Sequence, residues 1–250
     1  TQFNPDPVGD LLFNGVASQD FHSNQANGVQ ADTTWRVNDK HTLRAGIMFQ
    51  QEHAVFDDNV AVFPADADGN ALSDQPFTIR DSSSKTGYLY SAYVQDEWKL
   101  TSKLTLNYGL RYDRMDEYVQ ASQLSPRVGL VYQPTNATTL HAGYARYFTP
   151  PAFELVSDST ISRFNGTTNQ SPTSQNDPVK PERSHYFDIG VTQRLTPALT
   201  IGLDAYYKKS AHLLDEGQFG SALIFTPFNY QSGRVYGLEF TTSYKQDNLS

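Results

Sequence analysis

Lys103-Leu104-Thr105-Leu106-Asn107-Tyr108-Gly109-Leu110-Arg111-Tyr112-Asp113 alternates without a break. Leu104, Leu106, Tyr108, Leu110 and Tyr112 fall on one parity, and Lys103, Thr105, Asn107, Gly109, Arg111 and Asp113 on the other. Successive side chains of a β-strand point to opposite faces, so this stretch reads as a strand with one apolar and one polar face. The pattern recurs on either side of it. Leu199, Ile201, Leu203, Ala205 and Tyr207 alternate with Thr200, Gly202, Asp204, Tyr206 and Lys208. Phe187, Ile189 and Val191 oppose Asp188, Gly190 and Thr192, while Leu43, Ala45, Ile47 and Phe49 oppose Arg44 and Gly46. Strands are expected at residues 26–37, 41–56, 85–99, 103–113, 126–133, 138–149, 184–195, 198–210 and 232–245.

The connections sort by length. Short turns are expected at 38–40, 100–103, 134–137, 195–198 and 245–248, with longer polar connections between them at 57–84, 113–125, 150–184 and 211–231. Antiparallel strands joined by short turns at one end and long loops at the other describe an outer-membrane barrel. Aromatic residues of the apolar parity sharpen this. Trp35, Trp98, Tyr132 and Tyr244 precede short turns, and Tyr88, Tyr112, Tyr207 and Tyr236 lie toward the long loops. Two aromatic belts match the two interfaces of a membrane. The expected fold is therefore all-β: a transmembrane antiparallel up-and-down barrel whose outer face meets outer-membrane lipid. A soluble β-sandwich is the competing architecture, but its strands are usually shorter, ~5–6 residues. Asp96 sits in the apolar parity beside Trp98, either near an interface or on a local bulge.

Composition narrows the function. The formal charge is −8, from 19 basic and 27 acidic residues, which argues against a nucleic-acid footprint. The absence of Cys excludes disulfides and thiolate metal sites. There is no run of about 18 apolar residues to form a membrane helix. No leader pattern opens the chain, which reads as a mature segment or an excised piece.

At this point a family resemblance emerges. Tyr93-Val94-Gln95-Asp96-Glu97-Trp98 followed by 104–113 resembles a mid-barrel hairpin of TonB-dependent outer-membrane receptors. Ser125-Pro126-Arg127-Val128-Gly129-Leu130-Val131-Tyr132, then 143–155, is similar to the element that follows. Val179-Lys180-Pro181-Glu182-Arg183-Ser184 and Tyr236-Gly237-Leu238-Glu239-Phe240 continue the order, so the resemblance covers roughly residues 25–245. It implies a barrel of about 22 strands, of which this chain carries roughly nine or ten, around a plug domain that is not visible here. It also implies bacterial outer-membrane localisation and uptake of a scarce ligand, typically a ferric siderophore. The energy would come from the TonB complex, engaged through an N-terminal part that this segment lacks. A passive porin-like or structural barrel and a soluble β-rich binding domain remain as alternatives.

No enzyme chemistry stands out. The six His form neither HExxH nor a close ligand pair. Ser184 and His185 are adjacent on a strand and face opposite ways, so they form no dyad. Asp66-Ala67-Asp68-Gly69-Asn70 opens like a calcium loop, but Ala71 and Phe77 stand where an EF-hand needs Gly and an acid. No metal or cofactor is expected. Ligand capture is assigned to the long loops through Phe153, Arg163, Phe164, Phe219, Phe225 and Tyr230, since aromatic faces with an Arg suit a flat anionic ligand. Pro150-Pro151 and the Ser/Thr/Asn-rich 165–177 stretch suggest a mobile loop.

Overall fold

The computed structural model describes residues 17–153, 162–170, 179–219 and 224–245. Nine strands form a single antiparallel sheet in the order β1-β2-β3-β4-β5-β6-β7-β8-β9, each pairing with its sequence neighbours. They are β1 (Ser18–Arg36), β2 (His41–Val62), β3 (Phe77–Lys99), β4 (Leu104–Asp116), β5 (Gln120–Thr135), β6 (Thr138–Thr149), β7 (Glu182–Arg194), β8 (Leu199–Phe219) and β9 (Ile224–Tyr244). Among the described residues no helix is long and apolar enough to cross a membrane, and the strands do not need one.

Register turns the sequence alternation into two continuous faces. Leu203 lies opposite Val191 and Phe240, Ala205 opposite Ile189 and Leu238, and Tyr207 opposite Phe187 and Tyr236. Leu106 lies opposite Trp98 and Leu130 in the same way. These residues share one apolar face, much of it exposed: Ile189, Leu238 and Phe240 are each more than half exposed. The other face is polar and concave. A hollow of about 490 Å³ opens on it, lined in part by Gln95, Asn107, Arg127, His141, Tyr186 and Asp188 from five strands, β3 to β7.

The strands outrun the expected boundaries. β2 continues to Val62 instead of stopping at 56, β3 starts at Phe77 instead of 85, and β1 starts at Ser18 instead of 26. The expected 57–84 loop shrinks to 63–76, the 113–125 connection to 117–119, and most of 211–231 belongs to β8 and β9. The cause lies in the residues. Asp57, Asp58 and Asn59 pair with Ser82, Asp81 and Arg80, so the backbone ladder runs on where polar groups occupy both faces. Hydropathy alternation ends where one face stops being apolar, whereas hydrogen-bonded pairing does not depend on it. The long 150–181 connection between β6 and β7 remains.

The ladder is interrupted at one seam. β5 pairs with β4 along its length from Gln120 to Tyr132, but its register with β6 begins only at Arg127↔Ala145. Pro126 stands at that limit and has no N–H to give. Above it, side chains replace the ladder: Gln123 Nε2 donates to the Tyr147 carbonyl at 3.0 Å, and Arg183 Nη2 to the Ser122 carbonyl at 3.2 Å. A second irregularity, between Tyr132 and Thr135, encloses Pro134.

Candidate functional site

Two regions could meet a ligand: the concave wall and the mouth at the long-connection end. The wall is built by pairing polar residues across strands. Arg44 Nη2 on β2 meets Glu97 on β3 at 3.0 Å, and within β4 Arg111 Nε meets Asp113, two residues on, at 2.7 Å. Two bridges span three strands each. Tyr93 on β3 donates to Asp32 on β1 at 2.8 Å, passing over Gly46 on β2, its direct partner on both sides. His141 on β6 reaches Asp204 on β8 at 3.0 Å, passing over Gly190 on β7, with Asp188 at 3.6 Å. A methyl group at either glycine would overlap the bridging groups. Glycine is present here for space rather than for backbone freedom. Alternation marked these positions as inward-facing, and only register shows that a glycine lies between each bridging pair.

Higher on the wall, Glu182 accepts from Lys208 Nζ at 2.7 Å and Ser210 at 2.9 Å. Burial pushes its carboxyl up, but the Lys208 and Ser210 hydrogen bonds overcome that and hold it below the ordinary glutamate value. Asp58 shows the opposite balance. Burial raises it despite the hydrogen bond to His22 at 2.8 Å.

The mouth is folded over by the protein's own loops. Phe153, just past β6, packs on Ala54 and Phe56 of β2 with Tyr118 against it. A methyl at Gly87 of β3 would strike its ring. Residues 162–170 lie on the β2–β3 loop, with Ala65 N donating to the Gly166 carbonyl at 2.9 Å and Thr168 N to the Phe63 carbonyl at 3.0 Å. This changes the expected roles. Phe153 and Phe164 are each only 2% exposed, so their rings fill the protein interior instead of lining a surface. Arg163 pairs with Asp81 at 3.0 Å and donates to the Arg80 carbonyl at 2.7 Å, tying its loop to β3. Phe219 and Phe225 are strand residues, paired in register with Ile224 and Gln218, not loop residues, and their side chains lie outside the described residues. Tyr230 is exposed, stacks edge-on to Phe228 at 4.9 Å, and has the outward parity of Tyr236. The 154–161 and 171–178 parts of the expected mobile loop also lie outside the described residues.

The suspected calcium loop is satisfied by its own backbone. Asp66 Oδ1 accepts from the amides of Asn70 at 2.9 Å and Asp68 at 3.0 Å, and the Asn70 amide leads in holding its carboxyl below the ordinary aspartate value. Among the described residues no trio of His, Asp or Glu is placed to hold a metal. Asp96 lies on no bulge: its register is continuous, and it is 6% exposed, held by His41 Nδ1 at 2.7 Å and Tyr108 Oη at 3.1 Å. His41 in turn stacks on Trp98 at 5.3 Å.

The sequence over residues 2–250 matches the family model "TonB dependent receptor-like, beta-barrel". The chain belongs to this family. TonB-dependent receptors are barrels of the bacterial outer membrane, so the apolar face described above faces lipid and the concave face is the lumen. Among curated proteins the chain is similar to a ferric enterobactin receptor of Pseudomonas aeruginosa, 30% identical over 176 residues, covering 64% of this chain and 23% of that protein. Among solved structures it resembles the copper transporter OprC, with TM-score 0.64, 19% identity and coverage of 92% of this chain and 36% of that one. It also resembles the FrpB iron transporter of Neisseria meningitidis, with TM-score 0.62, 16% identity and coverage of 91% and 35%. These structural likenesses establish the fold. The chain thus spans about a quarter of the curated relative's length and about a third of the structural ones.

Proposed function

We propose that this chain is the lumen wall and part of the mouth of a receptor that takes up a scarce ligand, a ferric siderophore, with energy from the TonB complex. The similarity to a ferric enterobactin receptor carries this reading. Two features support it. The wall is densely polar and braced by inter-strand bridges, as suits a surface against which a plug domain packs and moves. The mouth is roofed by loops tied to the strands, as suits selective entry better than open diffusion. In this reading the short turns face the periplasm and the long connections face outside. Trp35, Trp98, Tyr132 and Tyr244 then mark the inner interface, and Tyr88, Tyr112, Tyr207 and Tyr236 the outer one. Ligand contact falls to Arg163, Phe219 and Phe225, with Phe153 and Phe164 setting the loop shape behind them, whereas Tyr230 has the outward parity and faces away from the lumen.

The test is uptake of radio-iron as ferric enterobactin in cells whose only catecholate receptor is the intact protein, with and without a functional TonB. TonB-dependent uptake is expected. Uptake of small solutes that persists without TonB and is indifferent to the siderophore would instead make this a passive porin-like barrel.

A further inference from the structure

The outward face of β6 to β9 carries a charge pattern that transport does not use. Arg146 of β6 lies directly opposite His185 of β7, His185 opposite Lys209 of β8, and Lys209 opposite Arg234 of β9. The next row toward the short turns is entirely aromatic: Tyr144, Phe187, Tyr207 and Tyr236. Below that row lie Ile189, Leu203 and Leu238, the lipid-facing band. The cations therefore stand where the apolar face ends, and Arg183 adds another in the row beyond.

Three observations separate this row from ordinary surface charge. The outward positions of these four strands, from Thr138 to Phe148, Arg183 to Gln193, Leu199 to Ala211 and Ser232 to Tyr244, contain no Asp or Glu, although acids outnumber bases by 27 to 19 in the chain. The inward positions of the same strands mix both signs and pair them, as in Lys208–Glu182 and His141–Asp204. Finally, no ion pair engages Arg146, Lys209 or Arg234 among the described residues, and Arg146 Nε is buried without a hydrogen-bond partner. His185 is held by Tyr144 Oη at 3.0 Å, which fixes the ring within the row. Like charges directly opposite on a sheet repel. A row of them with no acid beside it among the described residues becomes favourable when anions lie along it.

We propose that Arg146, Lys209 and Arg234, with His185 between them and Arg183 behind, hold phosphate groups of lipids in the leaflet at the long-connection end. The acyl chains of such a lipid would lie down the aromatic row onto Ile189, Leu203 and Leu238. Guanidinium groups suit this role because their fork matches phosphate geometry, and Lys209 supplies a point charge between them. The occupant is a glycolipid carrying more than one phosphate, since several cations side by side match several phosphates and only a lipid places phosphate and hydrocarbon on adjacent rows.

The experiment uses the intact protein in neutral detergent, titrated with lipid A and separately with phosphatidylcholine, with bound lipid read by native mass spectrometry. A triple variant, R146Q/K209Q/R234Q, is compared with K99Q/K103Q/K245Q, which removes the same charge at the short-turn end. Each surface cation contributes about five-fold to anionic-lipid binding, so the first triple is expected to lose on the order of 100-fold for lipid A and the second to behave as wild type. Equal lipid A binding by both triples would overturn the proposal. So would wild-type retention of phosphatidylcholine as tight as that of lipid A. Inorganic tripolyphosphate is the third arm: if it displaces lipid A at equal concentration, the row is a site for soluble anions and the lipid assignment fails. Should the triple variant not fold, salt dependence of the wild type decides, because lipid A binding must weaken as salt rises from about 0.05 to 0.5 M. Salt-independent binding would refute the charge-based site.

Discussion

Leu203→Lys is the perturbation that most directly tests the two-faced sheet. On β8 the lipid-facing band runs from Leu199, opposite Tyr244, to Tyr207, opposite Tyr236. At ~3.4 Å per residue this is about 27 Å of strand, or roughly 19–22 Å of membrane depth at a tilt of ~35–45°. Leu203 lies midway, flanked by Val191 and Phe240, and is therefore about 10 Å from either aromatic row. A lysine at mid-depth on the lipid face costs about 2–4 kcal/mol, or roughly 30- to 900-fold in the folding equilibrium. The same lysine at Tyr207, in the outer aromatic row, costs about 0–1 kcal/mol. Glu239→Lys, at nearly the same height on β9 but facing the lumen, should cost less than about 0.5 kcal/mol, since it stays hydrated and faces Asp204. The assay is reversible urea unfolding of the intact protein in phosphatidylcholine vesicles, followed by tryptophan fluorescence. The reasoning is refuted if Leu203→Lys and Glu239→Lys shift the midpoint equally, or if Tyr207→Lys costs as much as Leu203→Lys.

Gly190→Ala should break the His141–Asp204 bridge at a cost of about 1–3 kcal/mol. Adding Asp204→Ala should then cost little more, and full additivity in a double-mutant cycle would argue against the bridge. His41→Leu leaves Asp96 with Tyr108 as its remaining partner on the lipid-facing side and should destabilise by about 1–3 kcal/mol, whereas His41→Leu with Asp96→Leu should recover most of it. A double variant no better than the single would sink this account. The lowered carboxyl of Glu182 contributes stability that is present above its unfolded value and fades as pH falls through its folded one. Wild type should therefore exceed Glu182→Gln in stability at neutral pH, with the gap closing toward the acid end; a gap that widens on acidification contradicts the sign. Phe164→Ala removes a ring from an enclosed site and should cost about 3–5 kcal/mol locally. It should open the mouth loops to limited proteolysis and, combined with Arg163→Ala, weaken ligand uptake while the barrel persists.

The lipid-facing half of the fold was legible because one repeating unit, the apolar residue at every second position, is also the physical unit of a strand. What lay beyond the aromatic row was not legible. Asp57 to Asn59 look like loop residues, yet they continue the ladder, because main-chain pairing makes no demand on side-chain polarity. Phe153 and Phe164 look like surface aromatics from their place in a long connection. The burial of Phe153 depends on Ala54 and Phe56 of β2, about a hundred residues away in sequence, and the Phe164 segment is tied to the β2–β3 loop at a similar separation, neither of which local composition encodes. The Tyr93–Asp32 and His141–Asp204 bridges and the basic row need the register of three or four strands at once. Each of those residues was visible as inward or outward, but its partners were not.

The seam beside Pro126 has a mechanical consequence. Elsewhere, parting two neighbouring strands means breaking a run of main-chain hydrogen bonds that fail only together. Between the upper ends of β5 and β6 the join rests on Gln123, with Arg183 of β7 reaching past β6 to the Ser122 carbonyl of β5, two side chains that can let go and re-form one at a time. Among the described strands the wall is therefore most compliant there. A wall that must yield to a passing cargo while staying sealed to lipid would widen first along this line, and its amides should be the earliest in the spanning sheet to exchange with deuterium.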